Sequence, residues 1–431
     1  MAPVKEALPR PEAGPSLTGA SGPRSSRASV VTLALFLLLI EAAAQFYLLP
    51  NHVAQIMDFR QLYTAGYMLR TEPAHLYDIQ RQVQMQTALT STPEGILLFN
   101  HTPFEAAFFL PFSYLSYGAA YRVMLAINVL LIAVCFFSLQ SLFSSVIPLW
   151  QPRPGLIFFP FLPVAVAVMH GQDSLLFLAV CCLVLRLLLS QQDFFAGLLL
   201  SITLFKPQLT LPLAVLLVAR RGRNFLLGFV SGSLVIALAC LRLVHLSGLK
   251  AFLHVIAFTN AGGQHASILG NDPTGTLPFC MPNLHGLLFS SLLLWLPHAF
   301  WLPIMVAVSL GVLLWTARRI RLIASEETAF AYAVVWTILL SYLNHISDLP
   351  LWILPLVVLA SMARHLKGCT FIISTAFILP ALIVFVLGRF VDPNPWLWTL
   401  SLPLLATAIY LERASLGGFL NPLTSQDHAV T

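Results

Sequence analysis

Long apolar runs alternate with short polar breaks along nearly the whole chain. The first run covers residues 30–49, and similar runs recur to about residue 411. Some approach the roughly 20 residues that a helix needs to cross a membrane, whereas others are shorter and end in polar residues. Short helices of the second kind are typical of proteins whose helices line an aqueous cavity. The pattern predicts an all-α polytopic membrane protein with about twelve transmembrane helices.

The polar segments divide the chain into a membrane domain, two tails and two large loops. Residues 103–115 and 284–297 are apolar but short, so we expect a re-entrant or interfacial piece and a half-span there. The predicted segments are a disordered cytoplasmic tail at 1–29, a transmembrane domain at 30–411 with external loops at 50–100 and 245–283, and a cytoplasmic tail at 412–431.

The composition supports the membrane assignment and excludes other classes. Hydrophobic residues make up 58% of the chain and charged residues 9%, whereas soluble domains contain about a quarter charged residues. The net charge of +6 is explained by basic cytoplasmic loops rather than by nucleic-acid binding. The six cysteines show no metal-ligand or disulfide spacing, and no ATP-binding loop is present. We therefore expect no cofactor and no required metal.

Lysine and arginine positions predict the orientation. Short loops on one side contain most of the basic residues, including Arg220 and Arg221, and we place this side with the N-terminal tail in the cytoplasm. The polar clusters around Asp58, 170–173, 206–208 and 344–348 then all fall on the opposite side, although the orientation depends on the basic residues alone. This agreement predicts a single polar site on the non-cytoplasmic face.

The run at 57–78 is the most polar and aromatic stretch in the first half of the chain. Apolar residues recur there at helical spacing and predict a short amphipathic helix that ends at Glu72-Pro73 and lies in the membrane interface. Asp58 begins this run. A carboxylate partly withdrawn from water can act as a general base. An N-cap role, or pairing with Arg60, is the alternative.

Lys206 stands within about 26 otherwise nearly uncharged residues. A break of the helix at Pro207 would place Lys206 at the outer rim of the membrane. There it could bind a phosphate by Coulomb attraction, or it could be a lysine that snorkels from a tight turn.

Two polar turns face the same side. The sequence His170-Gly171-Gln172-Asp173 is either a helix-ending turn with Asp173 as N-cap, or a set of hydrogen-bonding groups for sugar hydroxyls. The segment 344–348 offers His345 and Asp348 to hold a base or a substrate. Buried ionisable residues within membrane segments are functional candidates by default.

Several motifs resemble glycosyltransferase family 87, the polyprenol-phosphate-mannose-dependent mannosyltransferase-like family of the GT-C fold. The resemblance lies in the following stretches, in the family's order: Asp58-Phe59-Arg60 through Leu76-Tyr77-Asp78, Thr102-Pro103-Phe104 through Leu110-Pro111-Phe112, Gly171-Gln172, Ala196-Gly197-Leu198 through Lys206-Pro207-Gln208, and Ser341-Tyr342 through Asp348-Leu349. Arg70-Thr71-Glu72-Pro73 stands where the family usually has a glycine-containing turn.

The resemblance implies a GT-C-type helix bundle and an enzyme that takes a hexose, expected to be mannose, from a polyprenyl-phosphate donor. Transfer to a lipid or glycan acceptor would occur with inversion on the external or periplasmic face of the plasma membrane. The resemblance makes Asp58 the base, and we hypothesise that Lys206 with Arg60 binds the donor phosphate. The residues expected to position sugar or acceptor are Tyr63, His170, Gln172, Asp173, Gln208, His345 and Asp348.

Two other functions remain open from the sequence. Broken spans and charges within the membrane also suit a secondary transporter or a lipid-linked-sugar flippase. A glycan ligase or polymerase is a further alternative, although such enzymes usually place their long polar loop late in the chain. In this sequence the richest loop is early.

Overall fold

A computed structural model describes residues 58–90, 96–146, 161–260, 280–297, 300–362, 367–387 and 396–416. Within these ranges every regular element is helical, which confirms the predicted all-α class. The α-helices are α1 (Phe59–Thr71), α2 (Ile79–Thr90), α3 (Pro103–Phe109), α4 (Tyr117–Val146), α5 (Leu162–Met169), α6 (Ser174–Leu189), α7 (Asp193–Ser201), α8 (Pro207–Arg221), α9 (Arg223–Asn260), α10 (Leu284–Ser291), α11 (Trp301–Arg319), α12 (Glu326–Leu340), α13 (Ile353–Met362), α14 (Lys367–Leu382) and α15 (Ser401–Leu416).

Four segments of the described chain are long and apolar enough to cross a membrane. They are Tyr117–Leu139, Arg223–Ala257, Trp301–Leu322 and Gly368–Val386. Their outward faces present exposed apolar side chains such as Leu130, Val235 and Phe371, as expected where lipid tails replace water. The count of about twelve spans and the GT-C-type bundle stay predictions.

Several predicted segments fall wholly or partly outside the described residues. The first predicted span at 30–49 and the tail at 1–29 lie entirely outside them. The tail predicted at 412–431 begins inside α15, which continues to Leu416. The second predicted loop begins at a break in α9, where His245 has φ 54° and ψ −179°, but the chain remains helical from there to Asn260.

The first loop contains the predicted helix before Pro73 and a second helix after it. Helix α1 ends at Thr71, directly before Glu72 and Pro73, because a proline disfavours helical geometry in the residue before it. Helix α2 follows at Ile79–Thr90. Side chains along α1 are buried nearly all round as far as Leu69. Helix α1 is therefore enclosed by the protein rather than laid on its surface.

Close helix contacts depend on glycines at two places. A Cβ added at Gly66 would overlap the Phe109 carbonyl, so α1 approaches the end of α3 as closely as the backbone permits. Helices α7 and α9 pack in the same way, because a Cβ at Gly197 would overlap the Phe225 carbonyl. Small residues at helix interfaces permit such backbone approach in membrane bundles.

Basic loop residues gather at one end of α8, and the polar turns gather at the other. Glu326 lies 3.3 Å from both Arg220 Nε and Arg221 Nη1, and Arg221 Nη2 lies 2.6 Å from Asp193 Oδ1. The 15 residues of α8 span about 22 Å, with Lys206 next to the opposite end. The two polar faces are thus separate, as the basic pattern predicts; which of them is external stays a prediction.

Candidate active site

A tight turn between α5 and α6 forms one wall of the candidate site. Helix α5 ends in a pair of hydrogen bonds, from the Gly171 N–H to the Val168 carbonyl at 3.0 Å and from the Gln172 N–H to the Ala167 carbonyl at 3.1 Å. This is the Schellman arrangement, in which the residue after the helix adopts left-handed geometry. Gly171 has φ 61°, which a glycine adopts without strain.

The N-terminus of α1 is joined to this turn. The Phe59 backbone N–H donates to the His170 carbonyl at 2.9 Å. A side chain at Gly171 would collide with the Phe59 side chain. The glycine therefore serves both the turn geometry and the approach of α1, and Asp58 is brought next to the 170–173 turn.

The Asp58 carboxylate is held through one of its two oxygens. His170 Nδ1 lies 2.9 Å from Asp58 Oδ2, and the Gln172 side-chain amide donates to the same oxygen. No side-chain capping bond forms between Asp58 and α1. In the described part of the chain, Oδ1 accepts no hydrogen bond, so it remains available to a ligand.

The local electrostatics keep Asp58 anionic. Burial alone would raise the pKa of Asp58, but the His170 and Gln172 hydrogen bonds and the nearby His345 outweigh it and hold the pKa well below its usual range. The position at the start of α1 adds the positive end of a helix dipole. Burial lowers the pKa of His170, but Asp58 more than compensates and raises it above its ordinary value. The two residues therefore favour a carboxylate–imidazolium pair.

Lys206 occupies the predicted break between two helical segments. A 3₁₀ turn at Ile202–Phe205 precedes it, and Pro207 begins α8 at the position where a missing N–H costs nothing. The prediction of a break at Pro207 is confirmed. The ammonium nitrogen has four side-chain oxygens around it: Gln172 Oε1 at 3.1 Å, Asp173 Oδ1 at 3.0 Å, Ser174 Oγ at 2.7 Å and Asp348 Oδ1 at 2.5 Å.

Gln172 links the Asp58–His170 pair to the group of side chains around Lys206. We call the pair, Gln172, Lys206 and the other Lys206 partners (Asp173, Ser174 and Asp348) the polar network. The Gln172 amide nitrogen donates to Asp58, and its amide oxygen accepts from Lys206. The Asp58 side chain is 23% exposed and that of His170 is 34% exposed, whereas the Lys206 side chain is 3% exposed. A ligand that enters the network therefore reaches Asp58 and His170 first, and Lys206 lies behind them.

The sequence did not indicate three residues in or beside the polar network, which are Ser174, Glu105 and His101. Ser174 donates from Oγ to Asp348 Oδ1 at 2.8 Å and also accepts from Lys206. Glu105, in α3, is fully buried and lies 2.8 Å from His101 Nδ1. Glutamate within an apolar run, four residues after a histidine, was the available signal for this pair.

Glu105 lies next to the polar network, because it interacts with Asp173. Burial raises the pKa of Glu105 to about 8; His101 opposes this shift and Asp173 reinforces it. Burial lowers the pKa of His101, but Glu105 more than offsets it, so the net shift is upward. The pair thus retains a proton that an exposed glutamate would have lost at neutral pH.

We predict that Glu105→Gln makes the stability of the protein less dependent on pH. Unfolding returns Glu105 to an ordinary pKa near 4.5. Its proton favours the folded state fully below that value, and the benefit falls as pH rises towards 8. Melting temperatures in detergent, taken between about pH 5 and pH 8.5, should fall less steeply with rising pH in the variant. Glu327→Gln, at the basic end of the fold, is the control, and parallel wild-type and Glu105→Gln curves would contradict the assignment.

The remaining predicted residues occupy varied positions around the network. Arg60 is fully buried in α1 and interacts electrostatically with Tyr117. The Tyr63 hydroxyl is used within the fold, since it donates to the Leu115 carbonyl at 2.8 Å. Gln208 is half-buried in the first turn of α8. His345 is also half-buried, and its backbone N–H donates to Asp348 Oδ2 at 3.2 Å.

The described helices and this network define a membrane protein in which separate helices and turns bring a carboxylate, an imidazole and a buried lysine together. The chain belongs to glycosyltransferase family 87, whose sequence model matches residues 99–344, more than half of the chain. The resemblance found in the motifs is thereby confirmed, and the protein is a membrane glycosyltransferase. The matched region includes Glu105, the 170–173 turn and Lys206, whereas Asp58 and Asp348 lie outside it. Comparisons with curated proteins and with solved structures find no match.

Proposed function

We propose that this glycosyltransferase moves a hexose, mannose in the first instance, from a polyprenyl-phosphate sugar to a lipid or glycan acceptor on the non-cytoplasmic face. The observation on which the proposal depends is the Asp58 carboxylate, whose Oδ2 is held by His170 and Gln172 while Oδ1 is left to a ligand. A carboxylate fixed in this way is suited to accept a proton from a hydroxyl group.

Asp58 acts as the general base in this scheme. The acceptor hydroxyl donates its proton to Oδ1 as its oxygen attacks the anomeric carbon from the face opposite the phosphate. The bond between that carbon and the phosphate oxygen breaks, and the polyprenyl phosphate leaves with the electron pair, so the configuration inverts. The hydrogen bonds at Oδ2 lower the basicity of Asp58, but they also keep the carboxylate ionised and oriented towards the acceptor.

The leaving phosphate is already an anion, so it requires cationic stabilisation more than a general acid. His170 lies at the open end of the network and has a raised pKa, which makes its imidazolium a cation within reach of a ligand. Arg60 and Lys206 are the other candidates. Lys206 is enclosed by Asp173 and Asp348, so a phosphate that binds it must displace one of these carboxylates.

The remaining polar groups fall into those that already bind Lys206 and those that do not. Gln172, Asp173 and Asp348 already bind Lys206. Each of them would have to contact the sugar or the acceptor while it also binds Lys206. Half-buried His345 and Gln208 are the better candidates for direct contact. Tyr63 contributes by holding the chain at Leu115.

The function is tested by incubating the purified full chain in liposomes with a panel of radiolabelled polyprenyl-phosphate sugars and a membrane-lipid extract as acceptor. We expect one donor, the mannosyl lipid first, to lose its label to a new glycolipid or glycan. Movement of the intact donor across the bilayer without transfer would instead indicate a flippase. Label transfer from none of the donors, by a protein that melts cooperatively, would overturn the donor class.

A further inference from the structure

An arginine in the last turn of α1 contacts two tyrosine rings. The Arg70 guanidinium carbon lies 5.0 Å from the centre of the Tyr67 ring and 4.6 Å from that of the Tyr114 ring. Arg70 Nη2 also donates to the Ser113 carbonyl at 3.0 Å. Two ring contacts and a backbone acceptor hold the side chain in one orientation. We call Tyr67, Arg70 and Tyr114 the Arg70 patch.

The positive charge of this patch has no acidic partner in the part of the chain that the structure describes. Among the described residues no carboxylate lies within ion-pair distance of Arg70. The adjacent Glu72 is directed elsewhere, with Oε2 2.7 Å from Arg81 Nε. Only one of the five guanidinium N–H groups has an acceptor in the described chain. The patch therefore presents an exposed cation with unused donors.

The patch lies at the end of a membrane-spanning segment. Tyr114 is 68% exposed and the following Leu115 is 41% exposed. The apolar segment Tyr117–Leu139 begins two residues later. Tyrosines and arginines at such a position lie at the depth of the lipid headgroups. An anion at this depth is in the first instance a lipid phosphate.

The geometry of the patch is fixed in advance of any ligand. Tyr63 Oη donates to the Leu115 carbonyl, and the close contact at Gly66 holds α1 against the end of α3. Little conformational freedom would be lost on binding. Twelve residues of helix separate Arg70 from Asp58, or about 18 Å, so the patch lies apart from the Asp58 network.

We propose that Tyr67, Arg70 and Tyr114 bind the phosphate of an anionic membrane lipid. The guanidinium fork donates to two phosphate oxygens, a geometry that arginine supplies and lysine does not. The two tyrosine rings support the guanidinium by cation–π contact, and the exposed Leu115 contacts the upper part of the acyl chains.

Phosphatidylglycerol binding to the full-length protein in neutral detergent tests this proposal, with bound lipid counted by native mass spectrometry and no sugar donor present. Arg70→Gln should bind phosphatidylglycerol about tenfold more weakly, as expected for the loss of charge-assisted hydrogen bonds. Arg70→Lys should recover only part of the affinity, and Tyr114→Ala should weaken binding in the same direction. Arg122→Gln is the matched control, because Arg122 is an exposed arginine of α4 near the same end of the span and should bind like the wild type.

Three outcomes would overturn the proposal. They are unchanged binding by a folded Arg70→Gln protein, equal weakening in Arg122→Gln, or full displacement of the lipid by millimolar inorganic phosphate. The last result would indicate a site for free phosphate instead of a lipid. Because no donor is used, failure here leaves the transferase proposal untouched, and failure of sugar transfer leaves this one untouched.

Discussion

Asp58→Asn should reduce sugar transfer by about 10²-fold or more, the range expected for loss of a general base. The amide oxygen of asparagine can still accept the hydrogen bonds that His170 and Gln172 direct to Asp58 Oδ2. The junction between α1 and the 170–173 turn should therefore remain, while the proton acceptor and the negative charge that raises the pKa of His170 are lost. Initial rates of label transfer at saturating donor, with donor binding measured separately, give the comparison.

The control for this substitution is Asp78→Asn, at the other end of the 57–78 run. Asp78 is an exposed carboxylate that accepts a hydrogen bond from the Arg81 backbone N–H at 3.0 Å. Its loss removes one acid from the same loop without touching the network, so transfer should stay near the wild-type rate. Near-normal turnover in Asp58→Asn would remove Asp58 from the role of base.

Local structure around the site was predictable because it depends on near neighbours in the chain. The apolar spacing of α1, its end before Pro73 and the break before Pro207 all follow from rules that act within one or two helical turns. The turn at Gly171 belongs to the same class, since a glycine directly after a helix signals left-handed geometry. These features place Asp58 and Lys206 at helix ends from the sequence alone.

The partners within the network could not be predicted in the same way. His170 is 112 positions from Asp58 in the chain, and Asp348 is 142 positions from Lys206. The packing of α1, α5, α8 and the 3₁₀ turn Ile346–Trp352 decides which of the polar groups on one face come into contact. The sequence therefore indicated a shared face but not that Lys206 is enclosed by two carboxylates.

The burial of α1 was also not predictable from the sequence. The amphipathic pattern of α1 predicted a helix at the membrane interface, because one polar side and one apolar side suit that position. In the structure the polar side faces other protein groups, with Arg60 and Thr64 both buried. A pattern shows that a helix has two faces, but it does not show whether water or protein covers the polar one.

Lys206→Met should destabilise the fold strongly, by about 3–5 kcal/mol, as expected when one member of a buried ion pair is removed. Lys206 is the cation that faces both Asp173 and Asp348, whose side chains are 5% and 6% exposed. Methionine has a similar length and flexibility, so packing is largely kept while two buried carboxylates lose their counter-charge. The free energy of unfolding in mixed micelles measures the effect.

A second substitution separates this structural role from phosphate binding. In Lys206→Met with Asp348→Asn, one excess negative charge is removed, so much of the lost stability should return. If Lys206 acts mainly by neutralising Asp173 and Asp348, the double variant should recover donor affinity together with stability. If Lys206 binds the donor phosphate, affinity should stay low in the stable double variant. Lys250→Met, at an exposed lysine of α9, is the control, and a loss of stability in Lys206→Met no greater than in this control would contradict the buried-pair role.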